Sequence, residues 1–150
     1  MHNTHEIDAI AHSLIDLIGI LNSPRQDDVL LNAAGVSLPR ALFPLLVRIG
    51  AAGAIGVTVL AEQVGRDHST ISRQVAALEK LGLIKRRANA EDSRVNEAAI
   101  TEKGCATVDR ITKARRRLLG KLLSGWSVKE RQDLARLNRK LADAMKTARA

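Results

Sequence analysis

The stretch DHSTISRQVAALEKLG, Asp67 to Gly82, decides the fold of this chain. It reads as one helix with a polar front and an apolar back. Asp67 is a candidate N-cap, because its carboxylate can accept a hydrogen bond from a free backbone N–H of the first turn. Gly82 is placed to be the left-handed residue that ends the helix. Between them Ile71, Val75, Leu78 and Leu81 repeat at the spacing of one helical face. Ser69, Thr70, Ser72, Arg73 and Gln74 crowd the first two turns, mostly off that face. Hydroxyls, a guanidinium and a carboxamide at a helix N-terminus suit a helix that enters a DNA major groove. Hydroxyls take phosphates or bases, Arg grips guanine and Gln grips adenine. A plain surface helix can carry the same residues, so the neighbouring sequence has to decide.

Immediately upstream, Thr58 is positioned to cap a brief helix, VLAEQVG, that ends at Gly65 with Leu60, Ala61 and Val64 on its inner face. Two helices of these lengths joined by the short RDH connection form a helix-turn-helix. Downstream the period changes. Leu83 to Arg87 and Val95 to Thr101 are short strand candidates around the polar turn ANAEDS, a hairpin pattern.

The flanks read as helices. Ile7, Ile10, Leu14, Leu17 and Leu21 form a heptad seam over Ile7 to Asn22. SPRQDD, Ser23 to Asp28, reads as a break, and VLLNAAGVS as a short apolar turn running into a loop at Gly35. Ser37-Leu38-Pro39 starts the next helix, with Leu42, Leu45, Leu46 and Ile49 on its buried face. Pro44 either stays within its first turns or kinks it. Gly50, Gly53 and Gly56 end it in a loop where Ile55 to Val57 supplies a very short strand. Thr101 to Gly104 opens a long helix to about Ser124, striped by Val108, Ile111, Leu118, Leu119 and Leu122. Ser127-Val128-Lys129-Glu130 is a capping-box sequence for a last helix, whose seam is Leu134, Leu137, Leu141 and Met145.

Composition narrows the partner. Lys and Arg outnumber Asp and Glu by 24 to 16, a formal charge of +8 and a pI near 10.4. That excess favours a polyanion, since each basic side chain set on a phosphate releases a condensed counterion. Phe43 and Trp126 are the only large aromatics, so the core must be aliphatic, as in a helical bundle. A single cysteine, Cys105, excludes an intrachain disulfide framework. No apolar run approaches ~18 residues, so no membrane helix is expected. The N-terminus lacks the basic and apolar regions of a secretory signal, and a cytoplasmic location follows. His2, His5, His12 and His68 show no metal spacing, and no metal or other cofactor is expected. An enzyme finds no support, because no Gly-rich phosphate loop, nucleophile elbow or His/carboxylate cluster is present.

Two motifs in register now carry a resemblance. LAEQVGRDHSTISRQVAALEKLGLIKR, Leu60 to Arg86, followed by DSRVNEAAITEKG, Asp92 to Gly104, resembles the multiple-antibiotic-resistance regulator (MarR) family of bacterial winged-helix transcription factors. The resemblance implies a mainly α fold with a small β-hairpin wing: a single domain over 1–150, with a winged helix-turn-helix lobe at about 37–101 and dimerisation helices at 5–22 and 102–148. It implies a homodimer on double-stranded DNA with a palindromic operator, its half-sites about one turn (~34 Å) apart. By the family pattern His68, Ser69, Thr70, Ser72, Arg73 and Gln74 touch DNA, and Asp92 orients Arg94 toward the minor groove. Lys85, Arg86 and Arg87 become phosphate or wing-support contacts, with strand alternation turning only one of Arg86 and Arg87 to the duplex. The expected activity is that of a repressor released by a small lipophilic effector. The scarcity of aromatics argues against a phenol-stacking pocket and for an aliphatic one or none. Cys105 is expected to be a buried structural thiol rather than a redox switch. The competing reading is a winged-helix architectural or protein-interaction module that binds DNA without sequence preference.

Overall fold

The computed structural model of the chain describes residues 3–148, so His2 lies outside the described residues. The chain falls into two compact units, one up to Ala114 and the other from Arg115. The described elements are α1 (Thr4–Leu21), α2 (Pro24–Ala34), a 3-10 turn (Arg40–Leu42), α3 (Phe43–Ala52), β1 (Ala54–Gly56), α4 (Val57–Val64), α5 (His68–Lys80), β2 (Ile84–Ala88), β3 (Asn96–Ile100), α6 (Glu102–Leu122) and α7 (Val128–Thr147). The boundary between the units falls within α6. A mainly helical chain with a small antiparallel sheet is the fold class expected from the sequence.

The core of the first unit is aliphatic. Leu46, Ile49, Leu60, Ile71, Val75, Leu78, Ile84 and Ile111 are fully buried there, from several different helices and a strand. The three apolar residues of α5 thus anchor it to the centre of the unit. Leu81, expected on the same face, is 40% exposed. It sits past the last turn as the C-cap, where the helix has stopped turning toward the core.

The sheet has strand order β1-β3-β2, antiparallel throughout. The hairpin places Arg87 opposite Glu97 and Arg86 opposite Ala98. β1 extends β3 through Ala54 opposite Ala99, so the wing is rooted in the loop before the helix-turn-helix.

Four local expectations are corrected. Ser23 to Asp28 is not a break and Val29 to Ala34 is not a turn, because both lie in or at the start of α2. Ser23 caps that helix by accepting from the Arg25 N–H, Pro24 occupies the first turn, and Gly35 ends it at φ +64°. A proline after a Ser cap starts a helix as readily as it stops one, since its missing N–H is an orphan there. Ser37 to Pro39 does not open α3, which begins at Phe43 after the 3-10 turn, with Pro44 in its first turn and no kink required. Thr58 does not cap α4, because the helix already begins at Val57 with Gly56 as its cap.

α5 ends as the sequence indicates. Gly82 has φ +77°, its N–H bonds to the Glu79 carbonyl at 2.9 Å, and the Leu83 N–H bonds to the Leu78 carbonyl at 3.1 Å. This closing pattern requires the left-handed residue between them. The start of α6 locks onto that end. Thr101 Oγ1 donates to the Gly82 carbonyl at 2.6 Å and accepts from the Gly104 N–H at 3.0 Å. Lys103 Nζ donates to the Leu81 carbonyl at 2.9 Å. Gly104 is buried where a Cβ would overlap the Leu83 carbonyl oxygen.

In the second unit α7 starts with a complete capping box. Ser127 Oγ accepts from the Glu130 N–H at 3.0 Å, and the Glu130 carboxylate accepts from the Ser127 N–H at 2.9 Å.

Gly104→Ala should destabilise the protein by about 1–3 kcal/mol, the usual cost of forcing extra volume against backbone. Urea unfolding followed by circular dichroism reads this directly, and an unchanged midpoint would contradict the close approach of α6 to Leu83.

Candidate nucleic-acid interface

The front of α5 is organised by its cap. Asp67 accepts from the Thr70 N–H at 3.0 Å, from Ser69 Oγ at 2.5 Å and from Thr70 Oγ1 at 2.6 Å. The hydroxyls of Ser69 and Thr70, then the Thr70 amide, hold the Asp67 carboxyl well below the usual carboxylate range. Both hydroxyl protons are committed to Asp67, so Ser69 and Thr70 present lone pairs outward. Arg73 reaches back to Thr70 Oγ1 at 3.4 Å and is otherwise exposed beside Ser69.

The sequence-named residues do not all share one surface. His68, Ser69 and Arg73 are exposed, and Thr70 is half-buried. Ser72 is turned toward the wing, where Arg86 donates to both its backbone carbonyl and its hydroxyl, the latter at 3.0 Å. Gln74 is half-buried and lines an open cleft together with Ile71. Of the two strand arginines, Arg86 is directed inward to α5, and its buried Nε has no hydrogen-bond partner. Arg87 keeps 57% of its side chain exposed while its Nε bonds Glu97 at 2.8 Å. Lys85 is exposed on the same strand.

At the wing tip Arg94 is 89% exposed and paired with Asp92. Asp92 Oδ1 accepts from the Arg94 backbone N–H and Nε, each at 3.1 Å, and Oδ2 accepts from the Arg94 terminal nitrogen at 3.3 Å. The Arg94 side chain, then its backbone amide, lower the Asp92 carboxyl from its ordinary value, which keeps this turn charged at neutral pH.

Three supporting residues were not singled out from the sequence. Glu79 accepts from the Arg86 N–H at 2.7 Å, Glu97 binds Arg87 and Asn89, and Asn89 caps the wing turn. Opposite charges at Arg87 and Glu97 become a signal only once the hairpin register is known. Cys105 is exposed rather than buried. It follows Gly104, the residue that faces the core, and so lies on the outer side of the first turn of α6. Among the described residues no group of His, Cys, Asp and Glu could hold a metal ion.

The cleft that Gln74 lines has a volume of about 860 Å³. Leu21 and Asn22 bound it from the end of α1, Pro44 and Leu45 from α3, and Val64 and Ile71 from the helix-turn-helix. Arg40, Arg48 and Arg66 also line it, with Asp27 as the carboxylate among the lining residues. Phe43 is buried in the core and does not line it.

A model of the MarR family matches residues 38–96 of the chain. The HTH-type transcriptional regulator YxaD of Bacillus subtilis (strain 168) is 32% identical over 108 residues, 72% of this chain and 76% of its own length. The chain belongs to the MarR family. The HTH-type transcriptional repressor MdtR of the same organism is 28% identical over 109 residues, covering 73% of this chain and 70% of MdtR. The fold matches a MarR family protein of Bacillus stearothermophilus with a TM-score of 0.84 at 21% identity, over 97% of this chain and 99% of that one. As a MarR family member the chain is a DNA-binding transcriptional regulator with a winged helix, not an enzyme.

The Asp67 cap makes a pH-dependent contribution whose sign is fixed by its depressed pKa. The stabilisation is complete above the unfolded value near ~4 and is lost as pH falls toward the lower folded value. Asp67→Ala should therefore be less stable than the parent at pH 7, with a gap that stays constant from about pH 8 to 5 and narrows in more acid solution. Asp67→Asn, an equally good cap by residue type, should recover most of the loss at pH 7. Urea titrations of the three proteins across that range provide the measurement.

Proposed function

We propose that the protein is a homodimeric, sequence-specific repressor that leaves its operator on binding a small lipophilic effector. The observation that supports this most directly is the joint geometry of α5 and the wing. One rigid unit presents Ser69 and Arg73 at a helix N-terminus and Arg94 at the tip of a hairpin, the two-point arrangement that reads a major groove and its flanking minor groove. In this reading Arg73 contacts bases, and Ser69 and Thr70 accept from base amino groups or, after turning from Asp67, donate to phosphates. His68, Lys85 and Arg87 add backbone contacts, and Asp92 aims Arg94. Ser72 and Arg86 hold α5 to the wing before they can touch DNA, and Gln74 links the DNA face to the cleft.

Dimerisation is supported by what the helices leave uncovered. Ile7, Ile10, Leu17, Ile18 and Leu21 of α1 are exposed, as are Leu119 and Leu122 of α6 and Leu137 and Met145 of α7. Apolar surface on that scale favours burial against a second copy, which also matches a palindromic operator. The division into a winged lobe at about 37–101 and dimerisation helices at 5–22 and 102–148 follows the same logic. Action on DNA in the cytoplasm belongs to the same proposal, and among the described residues no helix is long and apolar enough to cross a membrane.

The cleft suits the effector. Its mixed lining, with Leu21, Pro44 and Val64 beside the guanidiniums of Arg40, Arg48 and Arg66 and the Asp27 carboxylate, is compatible with an amphiphile with an acidic head, and its contact with Gln74 would let an occupant act on α5. The repressor named among the relatives favours repression over activation.

Binding to the intergenic DNA upstream of its own gene tests the proposal. Arg94→Ala should weaken binding at all sequences and lower the salt slope by about 1, whereas Arg73→Ala should cost about 1–3 kcal/mol and relax base preference. Affinity for unrelated duplex equal to that for the upstream DNA would favour the architectural module instead. Sedimentation should give a dimer that Leu17→Lys dissociates, and a monomeric parent protein would refute the homodimer.

A further inference from the structure

Glu97 is the one buried charged residue among the described residues. Only 10% of its side chain is exposed, and it sits on β3, directly across from Arg87. Both of its oxygens are acceptors. Oε1 takes the Arg87 Nε–H at 2.8 Å and Oε2 takes the Asn89 side-chain amide at 3.0 Å. The Arg87 hydrogen bond, then that of Asn89, pull the Glu97 carboxyl below its ordinary value despite its burial, so it is ionised at neutral pH.

The chain of contacts continues outward without a gap. With its NH₂ spent on Glu97, Asn89 turns its Oδ1 to the wing turn and accepts from the Glu91 N–H at 2.8 Å and the Asp92 N–H at 3.1 Å. The Asn89 N–H bonds the Val95 carbonyl at 2.9 Å, and the Val95 N–H bonds the Asp92 carbonyl at 3.0 Å, which closes the turn. Asp92 then holds Arg94. A carboxamide has one donor end and one acceptor end, so what faces one end of Asn89 dictates what the other end can do. A double acceptor at Glu97 forces the donor end inward and leaves the acceptor end for the two turn amides.

We propose that Glu97 is a positioning residue for the DNA-reading wing: as a buried double acceptor it fixes the orientation of the Asn89 amide, which in turn fixes the turn carrying Asp92 and Arg94. The inference rests on the reading of Arg94 as a DNA contact, and it adds the residue that decides where Arg94 points. Glu97 itself touches no DNA.

Donor–acceptor parity provides the test. Glu97→Gln keeps the size but places an NH₂ against either the Arg87 Nε–H or the Asn89 NH₂, and any flip of Asn89 then sets its NH₂ against the Glu91 and Asp92 amides. Adding Asn89→Asp restores every pairing. The introduced glutamine then donates to the introduced aspartate and accepts from Arg87, while the aspartate also accepts from the turn amides. Net charge is the same as in the parent. With a duplex selected from a random pool by the parent protein, E97Q should bind about tenfold more weakly, the scale of one unpaired polar contact. E97Q/N89D should return to near the parent affinity. In an Arg94→Ala background E97Q should cost clearly less than in the parent, any remainder passing through Arg87, which also pairs with Glu97. Full-strength binding by E97Q, or no recovery in the double variant, would overturn the proposal, as would an equal loss with and without Arg94, which marks an effect through Arg87 or general destabilisation. Hydrogen exchange at the Glu91 and Asp92 amides gives a reading independent of DNA. It should rise about tenfold in E97Q and recover in the double variant. If Arg94→Ala itself binds like the parent, the assignment of Arg94 to DNA fails and the exchange data alone decide. Unchanged exchange in E97Q would then refute the positioning role.

Discussion

The end of α5 is the joint on which the winged unit depends. Within a few residues the chain must stop a helix, start a strand and receive the first turn of another helix. Gly82 supplies the left-handed backbone, Thr101 joins the two helix ends through a single hydroxyl, and Gly104 leaves room for the Leu83 carbonyl. With Ile71, Val75 and Leu78 buried behind it, α5 is fixed both along its back and at its end. Its polar front is therefore presented by a rigid support, which a reading helix needs if side chains are to meet base edges in register.

A second set of contacts joins that helix to the hairpin. Glu79 accepts the Arg86 amide, and the Arg86 guanidinium returns to Ser72. Helix and wing are thus held as one body, and the spacing between Arg73 and Arg94 is a property of the fold rather than of two independent loops. Arg94 is held by short-range pairing with Asp92 at the tip and by a hydrogen-bonded path back to the sheet.

The periodic and punctuating residues made much of this readable from sequence. The Asp67 cap, the Gly82 stop, the helix-turn-helix, the hairpin and the Ser127 capping box all have local causes and appear where those causes place them. What failed had non-local or ambiguous causes. Pro24 after Ser23 is compatible with a stop or a start, and only the burial of Leu31 and Ala34 selects the start. Cys105 takes its exposure from the side of α6 that Gly104 turns inward. Arg86 and Arg87 are adjacent basic residues in sequence, but strand alternation and a specific partner for each give them different tasks. Glu97 was invisible because a lone acidic residue among alanines has no meaning until the register sets Arg87 across from it.

The Glu79–Arg86 contact also bears on how the protein associates. β2 is an outer strand, and an outer strand offers unpaired amides on which another chain can lay a strand of its own. Here one such amide is already taken by a carboxylate, and the strand carries Lys85, Arg86 and Arg87 in succession. The β2 edge of the sheet is thereby guarded against lateral growth. In the homodimer proposed above, association then falls to the helices rather than to this edge of the wing.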